Sequence, residues 1–226
     1  MKTIKTILIT LLFAGFSTFS YAEGKMGLTI TGLDASGDAA EMSRGVEQTR
    51  SEDIQGVFAT FFIEKDLGPM TVGLDINPMD IASGSVTNVR SGGGAFNNQT
   101  NTAEVEINDN IGLYGMMDLG DTGAYLKAMI SSHNMEATTT IMNKTTTDTQ
   151  TNSTYPSERF FGGHLSIGVE RDLGDVFIRG EAGLSEYEKV VSKSSSGNTT
   201  VEAQIESGIH ARISICLLYT SDAADD

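Results

Sequence analysis

One short motif recurs three times and limits how this chain can fold. The tripeptide Asp-Leu-Gly occurs at Asp66-Leu67-Gly68, Asp118-Leu119-Gly120 and Asp172-Leu173-Gly174, so successive copies start 52 and then 54 residues apart. Asp tolerates turn geometry and hydrogen-bonds nearby backbone, and Gly supplies a positive φ, so the tripeptide suits a tight hairpin. Each copy joins two runs of alternating apolar and polar residues. The chain is therefore predicted to form antiparallel hairpins whose tight turns share one end.

The alternation is clearest near the end of the chain. Between positions 201 and 215, seven of the eight odd-numbered residues are apolar, and none of the seven even-numbered residues is. A helix would scatter these isoleucines around its circumference, so the pattern indicates a strand with one apolar face. Similar runs predict eight strands, at about 25–33, 54–65, 69–78, 103–118, 124–132, 160–171, 176–187 and 199–215.

Strand and loop lengths indicate the class of all-β fold. Most of the predicted strands approach the 9–11 residues that a tilted strand needs to cross a bilayer, whereas strands of ordinary globular proteins usually have about five or six residues. The connections opposite the tight turns are long and polar, at 34–53, 79–102, 133–159 and 188–198. Short turns at one end and long external loops at the other are typical of outer-membrane barrels. The prediction is an antiparallel up-and-down transmembrane β-barrel of eight strands, formed by one domain over 23–215.

The first residues have the features of a secretion signal. Lys2 and Lys5 precede an apolar run from Ile7 to Phe19, and Ser20-Tyr21-Ala22 places small residues where a signal peptidase requires them. The sequence therefore predicts a signal peptide over 1–22, cleaved after Ala22. Together with the strand pattern, it predicts a location in the bacterial outer membrane, with the Asp-Leu-Gly turns in the periplasm.

The last eleven residues are predicted to lie outside the fold. The segment 216–226, CLLYTSDAADD, resembles the translation of a transposase-end sequencing adapter over its whole length. The resemblance implies that the reading frame ran into adapter DNA and that the natural C-terminus is missing. A larger barrel, of which this chain is the N-terminal part, therefore stays open as an alternative to an eight-stranded one.

Composition excludes several classes of protein. The formal net charge is −15, which argues against a nucleic-acid partner because phosphate binding requires a basic surface. The one cysteine, Cys216, lies in the predicted adapter tail, so the chain is not a disulfide scaffold.

In architecture the chain resembles the small outer-membrane barrels of the OmpA, OmpX and OmpW type. The resemblance rests on the signal peptide, the eight amphipathic strands, the three tight turns and the four long loops, and it carries no functional residues over. It implies outer-membrane lipid, lipopolysaccharide and the barrel-assembly machinery as partners, and it leaves any extracellular ligand undefined.

The polar strand faces are predicted to converge in the barrel lumen. An eight-stranded barrel has an interior just wide enough for side chains to fill, and charges buried there must pair. The first interpretation is an ion-paired plug, and the alternative is the acidic, cation-preferring lining of a wider porin. The residues of this predicted network are Glu106, Lys127, Glu170, Arg179, Glu181, Glu202, Glu206, His210 and Arg212.

The segment His164-Leu165-Ser166 offers a possible enzymatic centre. It resembles the His-x-Ser pair of outer-membrane lipid A deacylases, in which the histidine serves as base to the serine. Leu165 belongs to the apolar set, however, so His164 and Ser166 are predicted to face the lumen, away from lipid. The sequence thus predicts no catalytic residue, no cofactor and no metal site.

The function predicted from the sequence is non-enzymatic. It is a structural or surface-contact role in the outer membrane, exerted through long external loops. Two alternatives remain: the N-terminal part of a general diffusion porin, and a soluble secreted β-sandwich or adhesin.

Overall fold

The computed structural model describes residues 24–43, 46–82, 86–90, 99–143, 153–174, 176–193 and 199–219. The predicted signal peptide, 1–22, lies outside these residues. None of the described residues forms a helix that is long and apolar enough to cross a membrane. The strands are β1 (Gly24–Ser43), β2 (Val46–Asp66), β3 (Met70–Asn77), β4 (Ile81–Ala82), β5 (Val86–Arg90), β6 (Gln99–Asp118), β7 (Ala124–Asn143), β8 (Ser153–Thr154), β9 (Glu158–Asp172), β10 (Val176–Tyr187), β11 (Val190–Lys193) and β12 (Thr199–Tyr219).

Eight long strands close into an antiparallel barrel, which confirms the predicted fold class. Strand β1 pairs with β2, β2 with β3, β3 with β6, β6 with β7, β7 with β9, β9 with β10 and β10 with β12. The barrel closes because β12 also pairs with β1, from Gly24 opposite Tyr219 to Ser43 opposite Thr199. The four short strands extend the wall beside these eight. Closure also sets the β-sandwich alternative aside, and the architecture is that of the small outer-membrane barrels.

The three Asp-Leu-Gly tripeptides form the tight turns at one end of the barrel. Gly68, Gly120 and Gly174 have φ values of 86°, 75° and 92°, the left-handed region in which glycine carries no steric penalty. In the third turn the Gly174 amide donates to the Asp172 carboxylate at 2.7 Å. Asp66 and Asp118 are the last residues of β2 and β6, the strands that lead into the other two turns.

The connections at the opposite end are different from the predicted long loops. The pairing of β1 with β2 continues to Ser43 opposite Val46, and that of β6 with β7 continues to Gln99 opposite Asn143. Most of 34–53 and much of 79–102 and 133–159 are therefore β-hairpin. Once a ladder is established, each further pair satisfies backbone donors and acceptors, and the threonines at 100, 102 and 138–140 favour extended structure in β6 and β7.

The final strand passes the predicted boundary of the fold at 215. Strand β12 continues to Tyr219, and its alternation holds there, because Cys216 is buried and Leu217 is exposed. The structure thus includes four residues of the segment predicted to lie outside the fold. The adapter origin of 216–226 stays a prediction.

The outer face of the barrel carries an apolar belt. Its members are outward-facing apolar residues with more than a third of their surface exposed, such as Ile130 (68%), Ile213 (66%) and Leu184 (61%). The belt continues around the wall through Leu28, Ile30, Phe61, Leu74, Leu113, Met117, Leu126, Leu165, Ile167, Val169, Ile178, Ile209, Ile215 and Leu217. The inner face at the same height holds the buried polar and charged side chains. A water-soluble protein has the opposite arrangement, with apolar side chains inside and polar side chains outside.

Two β-bulges separate the belt from the upper part of the barrel, the part away from the tight turns. In β6 the register shifts between Asn108 and Ile111, at Asp109, whose φ is 53°. In β12 it shifts between Gly208 and Ile205. Because one extra residue exchanges the two faces of a strand, β6 and β12 turn Val105, Ile107 and Ala203 inward above the bulges. A second buried cluster forms there from Met135, Phe160 and Val190, with Val105, Ile107, Tyr187 and Ala203 packed against it.

Two tyrosine rings lie over glycines of the neighbouring strands on the inner wall. Tyr114 lies opposite Gly73 and Tyr125 opposite Gly168. A β-carbon on either glycine would come within 2.4 Å of the neighbouring ring. The glycines therefore make room for large rings inside a narrow barrel, and these rings belong to the lower buried cluster.

Candidate functional site

The polar interior at the height of the belt is the candidate functional site. Its lower half is organised around Arg179, whose side chain is only 1% exposed. The Arg179 guanidinium donates to Glu64 through Nη1 and to Glu170 through Nε, the latter at 2.5 Å. Tyr114 donates its hydroxyl to the same Glu64 oxygen at 2.6 Å. Lys25 lies 3.5 Å from Glu170 and 3.4 Å from Asp66, so one arginine and one lysine pair with three carboxylates.

Two more ion pairs fill the space above Arg179. Lys127 lies 3.2 Å from Glu181, and both side chains are nearly fully buried. The Lys127 ammonium also sits 4.0 Å from the centre of the Tyr114 ring, a cation–π contact. Arg212 pairs with Asp75, again with both side chains buried. Charges removed from water in this way require partners, and here each charge has one.

The structure brings together six of the nine residues predicted for the lumen. Lys127, Arg179, Glu181, His210 and Arg212 are buried inside the barrel, and Glu170 reaches the Arg179 pair. Of the remaining three carboxylates, Glu106 and Glu202 lie above the bulges and Glu206 lies within the bulge of β12.

For two of those three, the placement differs from the prediction. Glu106 is exposed, because the bulge at Asp109 turns Val105 and Ile107 inward in its place. Glu202 lies across the ladder from exposed Val191 and pairs with Lys189 at the surface. The side chain of Glu206 lies outside the described side chains. Period-two alternation assigns these residues to the lumen only if the strand has no extra residue.

Sequence reasoning missed four members of the network: Lys25, Glu64, Asp75 and Tyr114. Asp75 shares the polar face of its strand with Thr71, Gly73 and Asn77, so the alternation in β3 is sufficient to predict that it faces the lumen. Glu64 was obscured because apolar residues occupy both faces of β2 around Phe61 and Phe62. No local pattern indicates that Tyr114 reaches across to Glu64.

The upper half of the site contains all three histidines of the sequence in one hydrogen-bonded chain. His210 Nδ1 lies 2.8 Å from Ser185 Oγ, which lies 2.8 Å from His164 Nδ1. His164 Nε2 lies 2.7 Å from Ser131 Oγ, which lies 2.7 Å from His133 Nε2. The chain ends where His133 Nδ1 lies 2.6 Å from the Asn110 side-chain oxygen.

A single direction of donation satisfies every bond of this chain when the imidazoles are neutral. His210 donates to Ser185, Ser185 to His164, His164 to Ser131, and Ser131 to His133. His133 then donates to the Asn110 oxygen, which can only accept. Each serine hydroxyl thus accepts one proton and donates its own, and each histidine has one protonated nitrogen. The chain is a complete polar network, which rigidifies a buried site.

The geometry places the candidate catalytic groups in structural roles. His164 uses both nitrogens on Ser131 and Ser185, while the Ser166 hydroxyl donates to Glu181 at 3.4 Å. Ser131, His133 and Asn110 do follow the order of nucleophile, base and orienting group. Ser131, however, is buried, with 4% of its surface exposed, and it lies between two imidazoles. Among the described residues, no group of three His, Cys, Asp or Glu side chains is arranged to hold a metal ion.

No protein-family model matches the sequence, and no curated protein matches it. Solved structures of outer-membrane proteins resemble it at low sequence identity. The outer membrane protease OmpT from Escherichia coli is 9% identical, with 87% of this chain and 97% of that chain covered and a TM-score of 0.49. Outer membrane protein AlkL is 8% identical, with 92% and 95% covered and a TM-score of 0.49. Ail of Yersinia pestis is 9% identical, with 84% and 99% covered and a TM-score of 0.36. Likeness at this level concerns the fold alone.

Proposed function

We propose that the protein is a non-enzymatic barrel of a Gram-negative outer membrane, secreted by a signal peptide that is cleaved after Ala22. The observation that carries this proposal is the change of the inner wall from polar to apolar at the height of the two bulges. Below them the wall is apolar outside and polar inside, and above them its inside is apolar. A hydrocarbon layer around the lower part and water around the upper part account for both halves, because each surface then meets the solvent that it favours.

The filled lumen supports a structural or surface-contact role over that of a diffusion porin. Three buried ion-pair groups and the histidine–serine chain occupy the interior at the height of the belt. The alternative, the N-terminal part of a wider porin, would need these charges to line water instead of one another. Contact with the outside would then rest with the hairpins above the bulges, which replace the predicted loops.

The proposed partners follow from this placement. Outer-membrane lipid contacts the belt, and lipopolysaccharide contacts the part of the belt that lies in the outer leaflet. The barrel-assembly machinery inserts the chain. The net charge of −15 supports no role in nucleic-acid binding.

Conductance across a planar bilayer tests the closed lumen. Protein refolded into vesicles is fused with the bilayer, and we expect no stepwise conductance, because buried ion pairs leave no continuous water path. Heat-dependent mobility on a gel, measured on the same vesicles, verifies that the barrel has inserted. Regular cation-selective steps from inserted protein would contradict the proposal and support the porin.

A further inference from the structure

The three imidazoles use five of their six ring nitrogens in the histidine–serine chain. His164 and His133 each use both nitrogens, whereas His210 contributes only Nδ1. The five contacts are all between 2.6 and 2.8 Å long. Within the described part of the chain, His210 Nε2 is therefore the ring nitrogen at which a further proton can bind before any hydrogen bond of the network is lost.

A proton added at His210 Nε2 can move along the network and leave it intact. His210 passes its Nδ1 proton to the Ser185 hydroxyl, which passes its own proton to His164. His164 passes its Nε2 proton to Ser131, and Ser131 passes its own proton to Nε2 of His133. His133 then carries two protons and His210 carries one. The four bonds between imidazoles and serines have reversed their direction, the bond from His133 to its asparagine acceptor is unchanged, and all five bonds remain.

Charged and titratable groups face the histidine–serine chain from four strands. Strand β7 contributes Lys127, β12 contributes Arg212, and β10 contributes Glu181 and Tyr187. Glu181 is paired with Lys127, and Arg212 is paired with Asp75 of β3. The charges around the network are thus balanced before a proton arrives.

A second proton is opposed by the first. The ring centres of His164 and His210 are 5.9 Å apart, and two like charges at that distance repel each other strongly in a site shielded from water. The network therefore has room for one added proton.

A cavity of about 360 Å³ borders the histidine–serine chain. His164 and Ser185 lie in its lining together with the exposed residues Glu186 and Ser207. The cavity is large enough for several water molecules. Water beside the network can deliver a proton to it as a hydronium ion.

We infer that the histidine–serine chain is a binding site for one proton, which it takes from a hydronium ion and shares among its three imidazoles. Uptake forms one N–H bond on His210 and breaks one O–H bond of the hydronium ion, which leaves as water. Transfer along the network then breaks one bond to hydrogen for each one that it forms. The inference does not rest on the proposed function, because every contact that it uses lies inside the barrel.

The test follows the ring-nitrogen resonances of isotope-labelled histidines by NMR, in the full chain refolded into lipid nanodiscs, over a pH series. The signals are assigned from the variants His133→Gln, His164→Gln and His210→Gln. We expect the three rings to change with one common midpoint and their changes to add up to one proton, because titrations of coupled groups belong to the cluster as a whole. Gel mobility at each pH verifies that the barrel is folded.

Two serine substitutions interrupt the network on either side of His164. Ser185→Ala should separate the midpoint of His210 from those of the other two rings by about one pH unit or more. Ser131→Ala should separate the midpoint of His133 in the same way. The second variant keeps the test decisive if the first does not fold.

Ser214→Ala is the matched control. Ser214 is a buried serine of the same interior whose hydroxyl lies 2.8 Å from that of Thr29, outside the network, so this variant should keep the common midpoint. A common midpoint that survives Ser185→Ala would show that charge alone couples the rings, and it would overturn the inference. Three separate midpoints in the starting protein, or no change in any ring over the pH range of the folded barrel, would overturn it as well.

Discussion

Replacing Arg179 by methionine is expected to produce the largest loss of stability of any single charge removal in the barrel. The substitution leaves Glu64, whose side chain is 0% exposed, as a buried carboxylate that still accepts a hydrogen bond from the Tyr114 hydroxyl but has lost its cationic partner. Removing one partner of a buried ion pair typically lowers the free energy of unfolding by about 3–5 kcal/mol. Urea unfolding of the protein in lipid vesicles, followed by the gel mobility of folded and unfolded forms, measures this loss.

Lys189→Met is the matched control for Arg179→Met. Lys189 pairs with Glu202 at the surface, where the two side chains are 49% and 39% exposed. Exposed pairs contribute about 0–1 kcal/mol, so we expect little change. The double variant Arg179→Met/Glu64→Gln should recover part of the loss, because the uncompensated charge is gone. Equal unfolding midpoints for Arg179→Met and Lys189→Met would show that the lumen charges do not hold the barrel together.

Gly183→Val is expected to have the second-largest effect. A β-carbon at Gly183 would lie 2.3 Å from the Leu165 carbonyl oxygen and 2.8 Å from the His210 ring, so the backbone of β9 must move to admit it. Overpacking of a close-packed interior lowers stability by about 1–3 kcal/mol and sometimes more, and we expect the upper end of that range. The same urea titration in vesicles measures it.

Gly180→Val on the same strand is the control for Gly183→Val. Gly180 faces outward with open space around its α-carbon, and valine suits a strand better than glycine does. We expect the stability of Gly180→Val to equal or exceed that of the starting protein. If both valine variants unfold at the same urea concentration, the inner wall is not closely packed at Gly183.

The sequence predicts the eight-stranded architecture well because its signals are local. The Asp-Leu-Gly turns and the period-two alternation identify all eight long strands, and the predicted 176–187 equals β10. The strand ends away from the turns are poorly predicted, since mostly polar residues extend the ladder there without a regular apolar alternation. The segments 34–43 and 133–143 are examples.

The interior is predictable only where the alternation is uninterrupted. Below the bulges, the period-two alternation correctly predicts that Lys127, Arg179 and Arg212 face the lumen. Glu106 does not, because a single residue in the left-handed region, Asp109, exchanges the faces beyond it. Partners across the lumen, such as Tyr114 with Glu64, depend on strand register and on barrel closure, which no local pattern encodes.

The most direct test of the central claim is to measure which height of the barrel lies in lipid. The chain contains no tryptophan, so a single one introduced by substitution is an unambiguous reporter. Ile130 and Thr138 face outward on the same strand, β7, and both are exposed. At about 3.4 Å per residue and the usual strand tilt, they differ in height by about 20 Å.

Ile130→Trp and Thr138→Trp are refolded separately into vesicles whose lipids carry bromine on the acyl chains. We expect strong quenching of the tryptophan at position 130 and little quenching at position 138, because the boundary between hydrocarbon and water is proposed to lie at the height of the bulges. Equal quenching at the two positions, or none at position 130 in folded protein, would contradict the account.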